Sequence, residues 1–469
     1  MAGVYSAINT CQAGLIHINL DRKKQKQYKF IMSFTKININ KLFYSFIAIH
    51  LILWVLVPSL TNNNLPLDTI EALAWGSNLD WGFNKHPPAS AFFLEFFYQI
   101  FGPQDWAYYL LSQIFVVTAF IVVFKFSEEL FKNKTLSLLS VLLLEGIYFY
   151  NFTTPEFNVY ISELPFWTLT IYYAYKAISK DNFKDWALLG FFGAIGFLSH
   201  YLFSYLLLSI SFFFIYIFLK DKKFNFKSLV ALEIFIIMTI FHFMWLIEND
   251  YITITYGMHR VGSELNDKNL IDHIVYPLSF LLKQIGILTP FWIMLFMLIN
   301  KFSFKLNFKD KKLIFLIFIN FVPIILIAIT SFLTGSKIKT MWLTPFYLYF
   351  GLFFIYLFKE KINLKRLNNF FISFLFFFIL SPIIYSVVSI SKKDKRTDYP
   401  GKEIAIKVQH IWNQNQVEPI NVVLGDEWHA GNLSYHLKSR PAWDGFITQD
   451  KLNSLSKFTC IDNICVGNR

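Results

Sequence analysis

The sequence predicts an all-α polytopic membrane protein that ends in a small α/β domain. Of its 469 residues, 55% are hydrophobic, 20% aromatic and only 16% charged, against about 25% charge in an ordinary soluble domain. Fifty-six Phe exceed what one water-soluble core can hide. Long apolar runs recur along the chain, and charge is confined to short stretches between them. These features exclude a disordered, collagen-like or disulfide-framework protein and argue against a soluble enzyme.

A helical span needs roughly 20 apolar residues. Eleven segments qualify, at 42–60, 106–126, 135–150, 159–177, 186–200, 202–219, 228–248, 276–299, 312–333, 340–358 and 368–391. The expectation is therefore about 11 transmembrane helices or slightly more. The pair 186–200 and 202–219 is the least separated, because almost no polar loop divides it.

The net charge of +12 and pI near 9.2 do not point to nucleic acid, because the basic residues sit in loops between spans. With a cytoplasmic N-terminus the inner loops hold nineteen cations: Lys125, Lys132, Lys134, Lys176, Lys180, Lys184, Lys220, Lys222, Lys223, Lys227, Lys301, Lys305, Lys309, Lys311, Lys312, Lys359, Lys361, Lys365 and Arg366. The outer loops hold five: Lys85, Arg260, Lys268, Lys337 and Lys339. Retention of Lys and Arg on the inner side sets this orientation, and one helix more or fewer would destroy the asymmetry.

Residues 1–41 carry Arg22, Lys23, Lys24, Lys26 and Lys29 and no long apolar run. They predict a cytoplasmic lead rather than a cleaved signal peptide, with Met32 an alternative start. A transmembrane module over 42–391 follows, then a C-terminal periplasmic domain over 392–469. In that tail, 402–413 has the pattern of an amphipathic helix, 420–424 of a short buried strand and 431–438 of a second helix. Cys460 and Cys465 fall in this domain. An oxidising periplasm would pair them as a disulfide; the alternative is two free thiols. Cys11 lies in the lead and is expected to be unpaired. Three outer segments, 61–105, 249–275 and the tail, are longer than a connection requires, and long loops in compact proteins are usually functional.

The first outer loop, 61–105, is the richest. Within it Asp68 and Glu71 are three residues apart, on one face of a helix whose Ile70, Leu73, Ala74 and Leu79 face lipid or protein. Lys85 and His86 follow, and Pro87 and Pro88 fix a turn. A carboxylate beside a cation at the membrane surface suits group transfer. The carboxylate takes a proton from an acceptor hydroxyl, and the cation stabilises a leaving phosphate. The bland alternative makes Asp68 a helix N-cap and Glu71 its capping-box partner, Lys85 a solvated snorkelling side chain and His86 a structural hydrogen-bonding residue.

The block Asp68, Glu71, Trp75, Gly76, Trp81, Gly82, Lys85, His86, Pro87 and Pro88 resembles the first periplasmic loop of GT-C glycosyltransferases that use polyprenyl-phosphate sugars. The nearest are glycosyltransferase families 39 and 83, the protein O-mannosyltransferases and the lipid A aminoarabinose transferases. Residues 249–260 (NDYITITYGMHR), 334–345 (TGSKIKTMWLTP), 396–401 (RTDYPG) and 425–432 (GDEWHAGN) are similar to further segments of that family. The resemblance covers most of 40–440. It implies a GT-C-like fold, Asp68 as the catalytic residue and Lys85 as the contact to the donor phosphate. Glu71 is then a helper, since family 39 has an adjacent Asp-Glu pair. The aminoarabinose transferases have Glu-Lys-Pro where this chain has Asn84, Lys85 and His86, so no metal ligand is carried over.

Arg260, Lys337 and Lys339 are further candidates. Arg260 suits a bidentate grip on phosphate; its alternative is an anchor at headgroup level. Lys337 and Lys339 break the positive-inside bias and either contact donor phosphate or reach lipid phosphates without doing chemistry. Ionisable residues inside spans are functional candidates by default, and Glu145, Glu163, Glu233, His242 and Lys283 qualify. Glu163, His242 and Lys283 lie nearer the outer ends and are placed to line a donor cavity.

The sequence thus predicts a bacterial inner-membrane glycosyltransferase. It moves a sugar from a polyprenyl-phosphate donor to lipid A or another envelope glycan on the periplasmic side, with inversion. Its partners are that donor, a lipid or glycan acceptor and membrane lipids, not nucleic acid. Neither a P-loop nor a dinucleotide-binding glycine motif is present, no cofactor is called for, and a divalent cation stays open. A protein Ser/Thr acceptor is the alternative within the same chemistry. A transporter or flippase of lipid-linked sugars ranks next and would show internal repeats and broken helices with midplane charges. A non-catalytic assembly partner ranks third.

Overall fold

The computed structural model describes residues 38–222, 224–260, 269–304, 306–461 and 463–469. The predicted lead, with Cys11 and Met32, lies outside the described residues up to position 37, as do Lys223, Lys268 and Lys305 of the loop count.

The chain is a multi-pass helical membrane protein. Six described helices are long and apolar enough to cross a bilayer. They are α1 (Ile39–Thr61), α4 (Asp105–Phe131), α8 (Phe203–Asp221), α9 (Ser228–Glu248), α13 (Lys311–Thr334) and α15 (Leu367–Ser391). Two bent pairs raise the number to eight. One is α11 (Asp272–Ile287) with α12 (Thr289–Leu298), bent by 50°, and the other is a 3-10 segment, Thr340–Tyr347, with α14 (Phe350–Phe358), bent by 53°. The remaining helices between them are α2 (Leu67–Gly76), α3 (Ala89–Phe101), α5 (Lys134–Leu142), α6 (Val159–Lys180), α7 (Phe183–Ser199) and α10 (Ile252–Arg260).

By length and composition, six to eight of the expected eleven or so segments qualify as spans among the described residues. The segment 135–150 is helical only to Leu142 and continues as two short 3-10 turns. Side chains account for the break. Asn151 donates to the Glu145 carbonyl at 2.9 Å, and the Glu145 carboxylate meets His50 Nδ1 of α1 at 2.7 Å with both side chains buried. The closely spaced pair near residue 200 is two helices, because His200 adopts an extended conformation that ends α7.

Close packing among the spans leaves sharp tests. Gly351 at the start of α14 lies so near α5 that a β-carbon would land on the backbone carbonyl of Ser140. Backbone cannot rotate aside, so Gly351→Ala is expected to destabilise the fold by about 3 kcal/mol, the upper range for overpacking. A lowered melting temperature in detergent is the measurement.

The C-terminal part folds as expected into an α/β unit. It comprises α16 (Gly401–Asn415), β1 (Val422–Leu424), α17 (His429–His436), β2 (Ala442–Trp443), α18 (Gln449–Asn453), β3 (Lys457–Ile461) and β4 (Ile464–Asn468). The sheet order is β2-β1-β4-β3, with β1 and β2 parallel and the other pairs antiparallel. Ala405, Val408 and Trp412, at helical spacing on α16, close the core over the sheet with Val423, Leu433 and Val466. Cys460 and Cys465 face each other across the β3–β4 hairpin and are joined as a disulfide.

This unit sits directly on the 61–105 loop. Gly431 of α17 packs against α2 so closely that a β-carbon would meet Ile70 and Ala74 at 3.1 Å. Arg440 reaches from beyond α17 to the Leu73 carbonyl (2.7 Å) and to Glu95 of α3 (2.6 Å). Trp443 N–H donates to Ser77 Oγ at 2.8 Å, and Asn64 donates to Asn432 at 2.9 Å.

Candidate active site

The sequence enters α2 through Pro66, which is its N-cap and makes no side-chain capping bond. The capping alternative for Asp68 and Glu71 therefore fails. Asp68 is the second helical residue, where the helix N-terminus favours a negative charge. The segment before α6 fastens this first turn. Asp68 N–H donates to Glu156 Oε1 at 3.0 Å, and Thr69 Oγ1 donates to the Phe157 carbonyl at 3.0 Å. Asn158 caps α6 by accepting from the Tyr160 and Ile161 N–H groups, both at 3.1 Å, and its side chain also hydrogen-bonds the Asp68 carboxylate.

Asp68 and Glu71 line a cavity of about 370 Å³. Lys85, His86, Asn158, His200, Tyr201, Tyr256 and Arg260 share its wall, and Trp75, Tyr160 and Trp342 give it aromatic faces. An apolar, aromatic-walled cavity with a few converging polar groups is the usual form of a ligand site. The 3-10 segment of the second bent span delivers Met341 and Trp342 to it.

The cations are distributed unequally. Lys85 Nζ lies 3.0 Å from Glu71 Oε1 and 3.4 Å from Glu427 Oε1 of the C-terminal unit. Arg260, exposed at the end of α10, hydrogen-bonds the Tyr256 hydroxyl at 2.7 Å. Lys339 is half-buried, and its charge acts on Asp68 and Arg260. Neither lysine lines the cavity, and Lys337 is exposed, so the two lysines that the sequence paired differ in that the charge of Lys339 acts on Asp68.

Burial raises the Asp68 carboxyl above the ordinary carboxylate range, against the opposing charges of Arg260, Lys85 and Lys339. Burial likewise raises Glu71, with Lys85 opposing. Burial alone would lower Lys85, but Glu71 and Glu427 outweigh it and hold the ammonium above its ordinary value. Burial, reinforced by Arg260 and Lys85, brings His86 down to about 3. His86 is therefore neutral at pH 7 and packs edge-on against Trp75 and His200.

Glu156 is the residue that sequence reasoning missed. Burial first, then the charge of Asp68, pushes its carboxyl up to about 8, so Glu156 is mostly protonated at neutral pH. Ionisation of Glu156 places a second negative charge beside Asp68, at the back of the cavity wall. Turnover is expected to fall as pH rises through about 8 and to stay level there in Glu156→Gln. A pH–rate profile of the two proteins is the check.

The intramembrane candidates stand behind the cavity rather than in it. Glu163 is buried 3.3 Å from His200 Nδ1. His242 bridges the Tyr201 hydroxyl (2.8 Å) and the Trp81 carbonyl (2.6 Å). The two therefore support lining residues without touching the cavity, which corrects their expected role. Lys283 and Glu233 are exposed and lie elsewhere. Among the described residues no group of three or more His, Cys, Asp or Glu side chains is placed to hold a metal ion.

The family model for dolichyl-phosphate-mannose-protein mannosyltransferases matches residues 85–245. Two solved structures of ArnT from Cupriavidus metallidurans share the fold. One, bound to undecaprenyl phosphate, is 10% identical with a TM-score of 0.59 and covers 89% of this chain and 88% of its own. The other, in the apo state, is 12% identical with a TM-score of 0.57 and covers 88% and 87%. No curated protein matches the chain. The fold is ArnT-like and of the GT-C type.

Proposed function

We propose that this chain is a membrane glycosyltransferase that takes a sugar from a polyprenyl-phosphate donor and passes it to an envelope acceptor, lipid A or another surface glycan. The observation that carries this reading is the placement of Asp68 on the wall of one cavity with Lys85 and Arg260. The solved ArnT that holds undecaprenyl phosphate has the same fold, which supports a lipid-phosphate donor.

The acceptor hydroxyl oxygen attacks the anomeric carbon as its proton passes to Asp68. The bond from that carbon to the phosphate oxygen breaks, and its electron pair stays on the phosphate. Polyprenyl phosphate leaves, and the configuration at carbon inverts. Arg260 and Lys85 meet the phosphate, with Lys339 adding charge at the rim, and Trp75, Tyr160 and Trp342 give the sugar flat apolar faces. Orientation follows the positive-inside asymmetry: 42–391 is the membrane module, the 61–105 loop and the 392–469 domain are periplasmic, and the membrane is the bacterial inner membrane.

A transporter would place charges at its helix breaks. The two bent spans carry uncharged residues at Leu288 and at Leu348–Tyr349, the ionisable pair at the 143–150 break is Glu145 with His50, and the converging polar groups line the cavity beside the 61–105 loop instead, which favours chemistry over transport. The test is purified protein with labelled polyprenyl-phosphate sugar and either lipid A or a Ser/Thr-rich secreted peptide. Release of polyprenyl phosphate with label on lipid A is the expected result. Label on the peptide would move the assignment to a protein O-glycosyltransferase, and transfer of intact donor across vesicles would replace it with a flippase.

A further inference from the structure

Lys85 has two carboxylate partners, and they come from different parts of the chain. Glu71 stands on α2, one turn beyond Asp68. Glu427 stands just before α17 in the C-terminal unit, and its side chain is 5% exposed. Glu427 Oε1 accepts from Asn84 Nδ2 at 2.9 Å and lies 3.4 Å from Lys85 Nζ. One buried oxygen thus holds two successive residues of the outer loop. Gly431 against Ile70 and Ala74, and Arg440 against Glu95 and the Leu73 carbonyl, keep that oxygen in place.

The charge count gives this contact a role. The groups facing the Lys85 ammonium are Glu71, Glu427 and Asp68, with Tyr256, Arg260 and the neutral His86 nearby. An ammonium shared by two carboxylates offers less to a phosphate than a free one, because each anion competes for the same donors. The competition matters most after transfer. The donor is a phosphodiester with one negative charge, whereas the product is a phosphomonoester that approaches two. Cations alone would therefore hold the product more tightly than the donor.

We propose that Glu427 is the exchange partner of Lys85: it holds the ammonium while the site is empty and reclaims it as the lipid phosphate departs. The C-terminal unit thereby acts on product release, through a positioning residue that touches neither sugar nor acceptor. This rests on the reading above that Lys85 meets the lipid phosphate.

The experiment measures undecaprenyl phosphate binding to the full-length protein in nanodiscs at pH 7. Lys85→Met is expected to weaken binding about tenfold or more, the scale of a lost charge-assisted contact. Glu427→Gln keeps an acceptor for Asn84 but removes the competing charge, and it is expected to tighten binding about tenfold, the scale of one like-charge contact in a partly wet site. In the double variant the tightening should vanish. Loss of a purely structural post would loosen binding, so unchanged or weaker binding by Glu427→Gln overturns the proposal. Normal binding by Lys85→Met instead overturns the phosphate reading beneath it. If Glu427→Gln does not fold, Glu427→Asp carries the test. It withdraws the carboxylate by one methylene and should tighten binding to a smaller degree, and an unchanged affinity is again fatal.

Discussion

Asp68→Asn is expected to lower turnover by about 10²–10⁴-fold, the range of general-base catalysis, with donor affinity and folding nearly intact. Asparagine has the same shape and still accepts the hydrogen bond from Asn158, so α2 has no reason to move. Its backbone N–H continues to donate to Glu156, as Asp68 N–H does at 3.0 Å. What disappears is the oxygen able to take a proton. The charges of Arg260, Lys85 and Lys339 that act on the Asp68 carboxylate become available to phosphate, so undecaprenyl phosphate should bind at least as well as before. The measurements are single-turnover release of polyprenyl phosphate and binding of that product on the same preparation. Near-normal turnover would remove Asp68 from the catalytic role, and loss of both turnover and binding would reduce it to a structural residue. Glu156 is the only described carboxylate that the structure ties to the backbone of Asp68 and that stays protonated near neutrality. A partial rescue through Glu156 would show as residual turnover that rises with pH, with a midpoint below about 8 because the Asp68 charge that helps raise Glu156 is gone, opposite in direction to the wild type.

What was legible in the sequence was local. The motif from Asp68 to Pro88 lies within one loop, so its spacing carries the geometry of α2, of the Pro87–Pro88 turn and of the Lys85 contact with Glu71. The amphipathic pattern of α16 carries the C-terminal unit in the same way, because Ala405, Val408 and Trp412 repeat at helical spacing. The contacts that were not legible join distant segments. Glu156 meets Asp68 across 88 residues, and Glu427 meets Asn84 across 343; no periodicity encodes either. Asn158 left a trace, as an Asn directly before an apolar helical run is a capping signal, and it marked the element that fastens Asp68. Charge alone misled in two places. Lys337 and Lys339 both break the inside bias, yet Lys337 is exposed while Lys339 is half-buried with its charge acting on Asp68. Glu163 and His242 lie at the correct depth, but His200 and Tyr201 stand between them and the cavity.

The largest effect on stability is expected at Arg440, whose guanidinium joins the C-terminal unit to the outer loop. Its side chain is 12% exposed and that of Glu95 is 8% exposed, so the pair is largely removed from water. Four contacts converge on it: Glu95 Oε2 at 2.6 Å, the Leu73 carbonyl at 2.7 Å, Ser434 Oγ at 3.0 Å and the Tyr98 ring at 4.0 Å from its centroid. Arg440→Met preserves the length of the stem but leaves Glu95 as a buried charge without a counter-ion and the carbonyl at the end of α2 without this donor. Removing one partner of a buried pair costs about 3–5 kcal/mol, most of it the desolvated charge that remains. The cost should therefore fall in Arg440→Met combined with Glu95→Gln, which neutralises the stranded carboxylate. A double-mutant cycle on thermal unfolding in detergent measures the difference, and equal destabilisation by the single and double variants would show that the contact is incidental. The same cycle bears on function, because Arg440 fixes the segment after α17 while Glu427 precedes it. Where the unit loosens, Glu427 loses both its charge contact with Lys85 and its hold on Asn84, two effects on phosphate binding of opposite sign, so Glu427→Gln, which removes only the charge, is the variant that separates them.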